Sequence, residues 1–170
     1  MHNPQYILRP VSPPFIAFSL ALALVLDFMP WGHRIGVPDF VALTLVFWNT
    51  RQPRRVGIGV AFFMGLLVDV NDATLLGQHA LAYTLLSYGA IAMHRRLLWF
   101  SPLTQSLHVL PLFLLAQVAS LVVRFLVDGS TPDLLVLLES AVDAALWPIV
   151  SWLLMAPQRR PLDRDENRPI

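Results

Sequence analysis

Cysteine is absent from the 170 residues, so no disulfide framework, thiolate nucleophile or cysteine metal site is available. Lysine is absent too: all 12 basic residues are Arg, which excludes Schiff-base chemistry and a P-loop lysine. Charge of either sign is scarce, at 14% of residues against 56% hydrophobic. That balance is too apolar for a soluble domain, and the chain is too long for one anchor, so it reads as a polytopic membrane protein of one domain. The common catalytic signatures are missing as well: there is no G-x-S-x-G, no H-E-x-x-H and no Gly-rich phosphate loop. His79, His94 and His108 stand on separate elements without ligand-like spacing, so neither a metal nor a cofactor is expected. Nothing resembles a nucleic-acid surface.

What is present is a succession of apolar runs. They predict an all-α membrane protein with six spans at about 15–29, 35–50, 56–70, 79–93, 102–127 and 132–155, in a single domain 1–156. A charged tail, 157–170, is expected to be cytoplasmic and disordered. The charged start and the triplet Ala21-Leu22-Ala23 have the look of a cleaved signal, but the apolar run continues as Leu24-Val25-Leu26, which favours a retained span. Span two is short: sixteen residues reach about 24 Å against about 30 Å of hydrocarbon, so either the bilayer thins or longer neighbours shelter this helix. Trp31 and Trp48 suit interfacial belts on opposite sides. Pro111 is expected to kink span five. Before span six, Thr131 suits an N-cap, Pro132 the first helical position and Asp133 the helix dipole.

The residues 38–81 organise the rest. Two apolar runs flank the cationic turn Arg51-Gln52-Pro53-Arg54-Arg55, which predicts a membrane hairpin with its turn in the cytoplasm. Six spans put both termini on that same side. There they would gather Arg9, Arg51, Arg54, Arg55, Arg95, Arg96, Arg159, Arg160, Arg164 and Arg168, leaving only Arg34 and Arg124 on or near the other. The positive-inside rule then orients the amino terminus inward.

Within span three, Gly57, Ala61, Gly65 and Asp69 recur every four residues and share a slowly drifting stripe. Small residues so spaced let a second backbone approach, either a neighbour in the same bundle or a partner's helix. Five charged residues fall within or at the edge of the spans: Asp27, Asp69, Arg124, Glu139 and Asp143. Asp27 is either a solvated interfacial acid or part of a polar cluster with Asp69. Arg124 and Glu139 lie at comparable depth, so an ion pair between spans five and six is the economical way to shelter both. Glu139, Asp143 and Trp147 share a face. A catalytic carboxylate pair is conceivable there, but no nucleophile stands beside a base, and the structural or partner-binding reading is favoured.

The ordered set Pro38-Asp39-Phe40, Leu45-Val46-Phe47-Trp48 ahead of Pro53, Gly57 to Gly65 with Asp69, Leu76-Gly77 with Ala80-Leu81, and Ala145-Leu146-Trp147-Pro148 resembles the MreD family of bacterial rod shape-determining membrane proteins. The resemblance spans about residues 13–156. Asp143 stands where that family commonly has a neutral polar residue. The resemblance implies an inner-membrane component of the elongasome, the peptidoglycan-synthesis machinery of the lateral wall. It implies work with the bitopic protein MreC, and through it with MreB, RodA and its penicillin-binding transpeptidase. It also implies a fold similar to the substrate-binding subunits of energy-coupling-factor vitamin transporters, which does not license a vitamin ligand.

Residues and resemblance meet in a non-enzymatic scaffold maintaining rod cell shape. Gly57, Ala61, Gly65 and Asp69, with Trp48 and Gly77, form its partner-binding or helix-packing surface. Asp27, Arg124, Glu139 and Asp143 form its intramembrane polar cluster. The cationic loops suit anionic lipid or a cytoplasmic partner. The competing expectation is a small-molecule-binding membrane subunit of a transporter.

Overall fold

A computed structural model of the chain describes residues 7–8, 11–30, 36–129 and 134–160. Trp31, Arg34, Thr131, Pro132, Asp133 and the tail from 161 lie outside the described residues. Among the described residues six α-helices follow one another: α1 (Pro13–Asp27), α2 (Phe40–Arg51), α3 (Gly57–Asn71), α4 (Gln78–Leu97), α5 (Pro102–Asp128) and α6 (Leu137–Met155). A two-residue antiparallel ladder, β1 (Ile7–Leu8) with β2 (Arg159–Arg160), joins the segments before α1 and after α6.

Local chemistry sets most of the ends. Ser12 precedes α1 with Pro at its first positions, and Ser101 opens α5 by accepting from the Thr104 N–H, again with Pro at the start. Asp39 caps α2 through the Ala42 N–H. Gly77 ahead of α4 and Gly129 after α5 take positive φ, +103° and +64°, where a side chain is strained. Pro111 lies within α5, which remains one helix through it.

α2 is the axle of the bundle. Every residue from Val41 to Thr50 is buried, under α1, α4 and α6. Twelve residues reach only about 18 Å, too short to cross a bilayer alone, so of the two accommodations open to a short span the helix takes shelter. Full enclosure corrects one expectation: Trp48 is not at an interface but wholly buried, with its Nε1 donating to Ser19 Oγ at 2.8 Å and its ring edge-on to Phe15 and Phe47. α2 and α3 are consecutive but scarcely touch, and each packs instead on α4. The α3–α4 pairing is the most extensive in the bundle because Gly65 removes the obstacle: a Cβ there would lie 2.5 Å from the Ala80 backbone nitrogen. α5 packs on α4 and α6. By length and composition α5 and α6 can cross a membrane, whereas α1 and α3 are shorter apolar helices.

Candidate functional site

A helix start presents N–H groups with no partner inside the helix, and a buried start cannot leave them to water. At the head of α2 carboxylates from two other helices and the cap itself take them all. Asp143 Oδ1 in α6 accepts from Asp39 N at 2.9 Å. Asp27, the last residue of α1, accepts from Phe40 N at 3.0 Å and Val41 N at 3.1 Å, one on each oxygen. Asp39 accepts from Ala42 N at 2.7 Å and, on its other oxygen, from the Tyr83 hydroxyl of α4 at 2.8 Å. The positive end of the α2 dipole faces these acids and offsets part of their mutual repulsion.

Asp69 does the same for α4. Its side chain is fully buried, and its two oxygens accept from Gly77 N and His79 N, both at 2.8 Å. Thr74 Oγ1 donates to it at 3.2 Å, and His79 Nδ1 lies 2.9 Å away. A carboxylate can only accept, so the Nδ1 proton of His79 points at Asp69.

Between these two caps lies a cavity of about 940 Å³. Asp27, Asp39, Glu139 and Asp143 line it, together with Asp72, His79, Tyr83, Gln117 and Arg124. Glu139 accepts from Gln117 Nε2 at 3.3 Å. The anticipated ion pair between Arg124 and Glu139 does not form: Arg124 is exposed at the cavity wall, and Glu139 is engaged by Gln117 instead. No three His, Asp or Glu side chains among the described residues are grouped to hold a metal. Chemically, both oxygens of Asp27 and Asp69 are committed to holding helix starts, and those of Asp39 to the start of α2 and the Tyr83 hydroxyl, which is the work of fasteners more than of proton carriers.

The model for rod shape-determining protein MreD matches residues 6–156. This chain belongs to the MreD family. The rod shape-determining protein MreD of Haemophilus influenzae is 30% identical over 145 residues, which cover 82% of this chain and 86% of that relative. No solved structure matches, so the expected likeness to vitamin-transporter subunits gains nothing from that side. Membership makes this a membrane protein with a role in rod shape determination.

Of the MreD-family residues singled out in the sequence, Gly65 and Asp69 both face α4 of the same chain, the first against Ala80 and the second on the amides of Gly77 and His79. Ala61 is buried on the same helix. Gly57 starts α3 at φ +63° with open space around it, and Gly77 turns the chain into α4. The stripe is therefore helix packing within the bundle where Gly65 and Asp69 lie. Asp27 does not join Asp69: it fastens α2 while Asp69 fastens α4. Two residues central to the site, Asp39 and Tyr83, are not among the site residues expected from the sequence. Asp39 carries a legible signal, an acid directly before an apolar run, the pattern of an N-cap. Tyr83 carries none, since its partner lies 44 positions away.

Proposed function

We propose that this chain is a non-enzymatic, multi-pass scaffold of the bacterial inner membrane, with both termini in the cytoplasm, that binds an MreC-like bitopic partner in the lateral-wall elongation machinery. Through that partner it would meet MreB, RodA and its penicillin-binding transpeptidase. The observation that carries the scaffold reading is the commitment of the buried acids. Asp143, the better placed of the two candidate catalytic carboxylates, holds the amide of Asp39 and so ties α6 to α2. The segregation of charge supports the orientation. Asp27, Asp39, Asp72, Glu139 and Asp143 surround the cavity at one end of the bundle. The Arg residues of the α2–α3 turn and of the last turn of α4 gather at the other end.

With Gly65 and Asp69 engaged by α4, the partner's place moves from the small-residue stripe to the rim of the cavity. Arg124 is the side chain to change, since it lines that rim, is exposed and makes no hydrogen bond or ion pair among the described residues. Arg124→Glu should lower recovery of an MreC-like partner about tenfold, a loss of ~1.4 kcal/mol, at an unchanged unfolding midpoint. Undiminished recovery would take the partner off the cavity. Catalysis is tested separately by Glu139→Gln with Asp143→Asn: retained rod shape dismisses an enzymatic role for the two acids.

The size of the cavity favours one second reading, a small-molecule-binding membrane subunit of a transporter, because about 940 Å³ suits a small ligand. It requires ligand-dependent thermal stabilisation and dependence on an ATPase module.

A further inference from the structure

The end of the bundle opposite the carboxylates carries its cations unevenly engaged. Arg55 donates to the Val11 carbonyl at 2.5 Å, and the Arg51 guanidinium lies 5.0 Å from the Phe47 ring. Arg95 and Arg96, in the last turn of α4, are exposed, and among the described residues their side chains make no hydrogen bond or ion pair. No acid whose side chain is described lies at this end to neutralise them. Proximity to the helix C-terminus accounts for basic residues there, but not for the bare apolar surface beside them. Trp99, in the turn to α5, is 90% exposed, whereas Trp48 and Trp147 are 0% and 1% exposed. Leu103 and Leu107 continue from it at four-residue spacing along α5, 76% and 71% exposed, so an uncovered stripe leads away from the indole.

We propose that the turn between α4 and α5 is a binding site for an anionic phospholipid. Arg95 and Arg96 take the headgroup phosphate, Trp99 lies at the level of the glycerol backbone, and an acyl chain runs along Leu103 and Leu107. Guanidinium forks match phosphate oxygens, indole rings favour the boundary between headgroup and hydrocarbon, and juxtamembrane cations collect acidic lipid. A soluble acidic peptide would satisfy the two guanidiniums but leave the Trp99 and leucine stripe uncovered. The site needs the membrane setting of the family and not the proposed partner, so either can fail without the other.

The test uses the full chain in nanodiscs of phosphatidylcholine carrying a small fraction of brominated phosphatidylglycerol, which quenches indole fluorescence on contact. Quenching should exceed that from the same fraction of brominated phosphatidylcholine, and the excess should vanish in Trp99→Phe. In Arg95→Gln with Arg96→Gln the apparent affinity should fall about thirtyfold, from two juxtamembrane cations. Arg124→Gln, at the opposite end, should leave it unchanged. Equal quenching by the two brominated lipids overturns the site. So does retention of the excess in the double Arg variant, or its equal loss in Arg124→Gln, which would make the effect one of overall charge. All the substituted side chains are exposed, and an unchanged unfolding midpoint verifies that each variant is folded.

Discussion

Asp143 in α6 accepts a hydrogen bond at 2.9 Å from the backbone N–H of Asp39, 104 positions earlier, and thereby latches the last helix of the bundle to the head of its most buried one. The latch needs an acceptor but not a charge. Asp143→Asn keeps the acceptor and should hold the unfolding midpoint near that of the wild type. Asp143→Leu strands the Asp39 N–H in a buried setting and should cost roughly 1–3 kcal/mol. Equal midpoints for the two variants in detergent would remove the latch.

Gly65 should tolerate nothing larger. In Gly65→Ala the new methyl meets the backbone of His79 and Ala80, so the helices must part, at a cost of about 1–3 kcal/mol or more. Gly59, on the same helix with open space around it, is the control: Gly59→Ala should be neutral or stabilise by about 0.5–1 kcal/mol. Thermal unfolding of the two variants side by side decides it.

Asp69→Ala removes an acceptor from the Gly77 and His79 amides and from Thr74 Oγ1 at once. A lost cap of this kind should cost about 2 kcal/mol. Hydrogen exchange at residues 77–80 should quicken well before the rest of α4 responds. Uniform exchange across α4 would show that Asp69 acts on the whole pairing and not on the helix start.

The Trp48–Ser19 bond offers a double-mutant cycle. Trp48→Phe and Ser19→Ala each break the 2.8 Å contact, and their coupling should be about 1 kcal/mol in unfolding free energy. A coupling near zero would leave Trp48 held by packing alone.

Much of this architecture is legible in one dimension. The apolar runs announce the helices, and Ser12, Asp39, Ser101 and the glycines at 77 and 129 mark their ends by capping chemistry and positive φ. The four-residue recurrence of Gly57, Ala61, Gly65 and Asp69 announces a close approach. Its partner is not legible, because one stripe of small residues fits any helix that reaches it, and here that helix is α4 of the same chain. Trp48 misleads for a related reason: an indole near the end of an apolar run looks interfacial until neighbouring helices enclose it.

The amino-acid order by itself determined that this chain builds apolar helices, in what order, and which face of α3 admits a close neighbour, because those properties follow from periodicity and from the conformational limits of single residues. Only the tertiary structure decided that Asp27, Asp39 and Asp143 meet at one helix head. Those pairings close over separations of up to 104 positions, and nothing local encodes which amide a buried carboxylate will find.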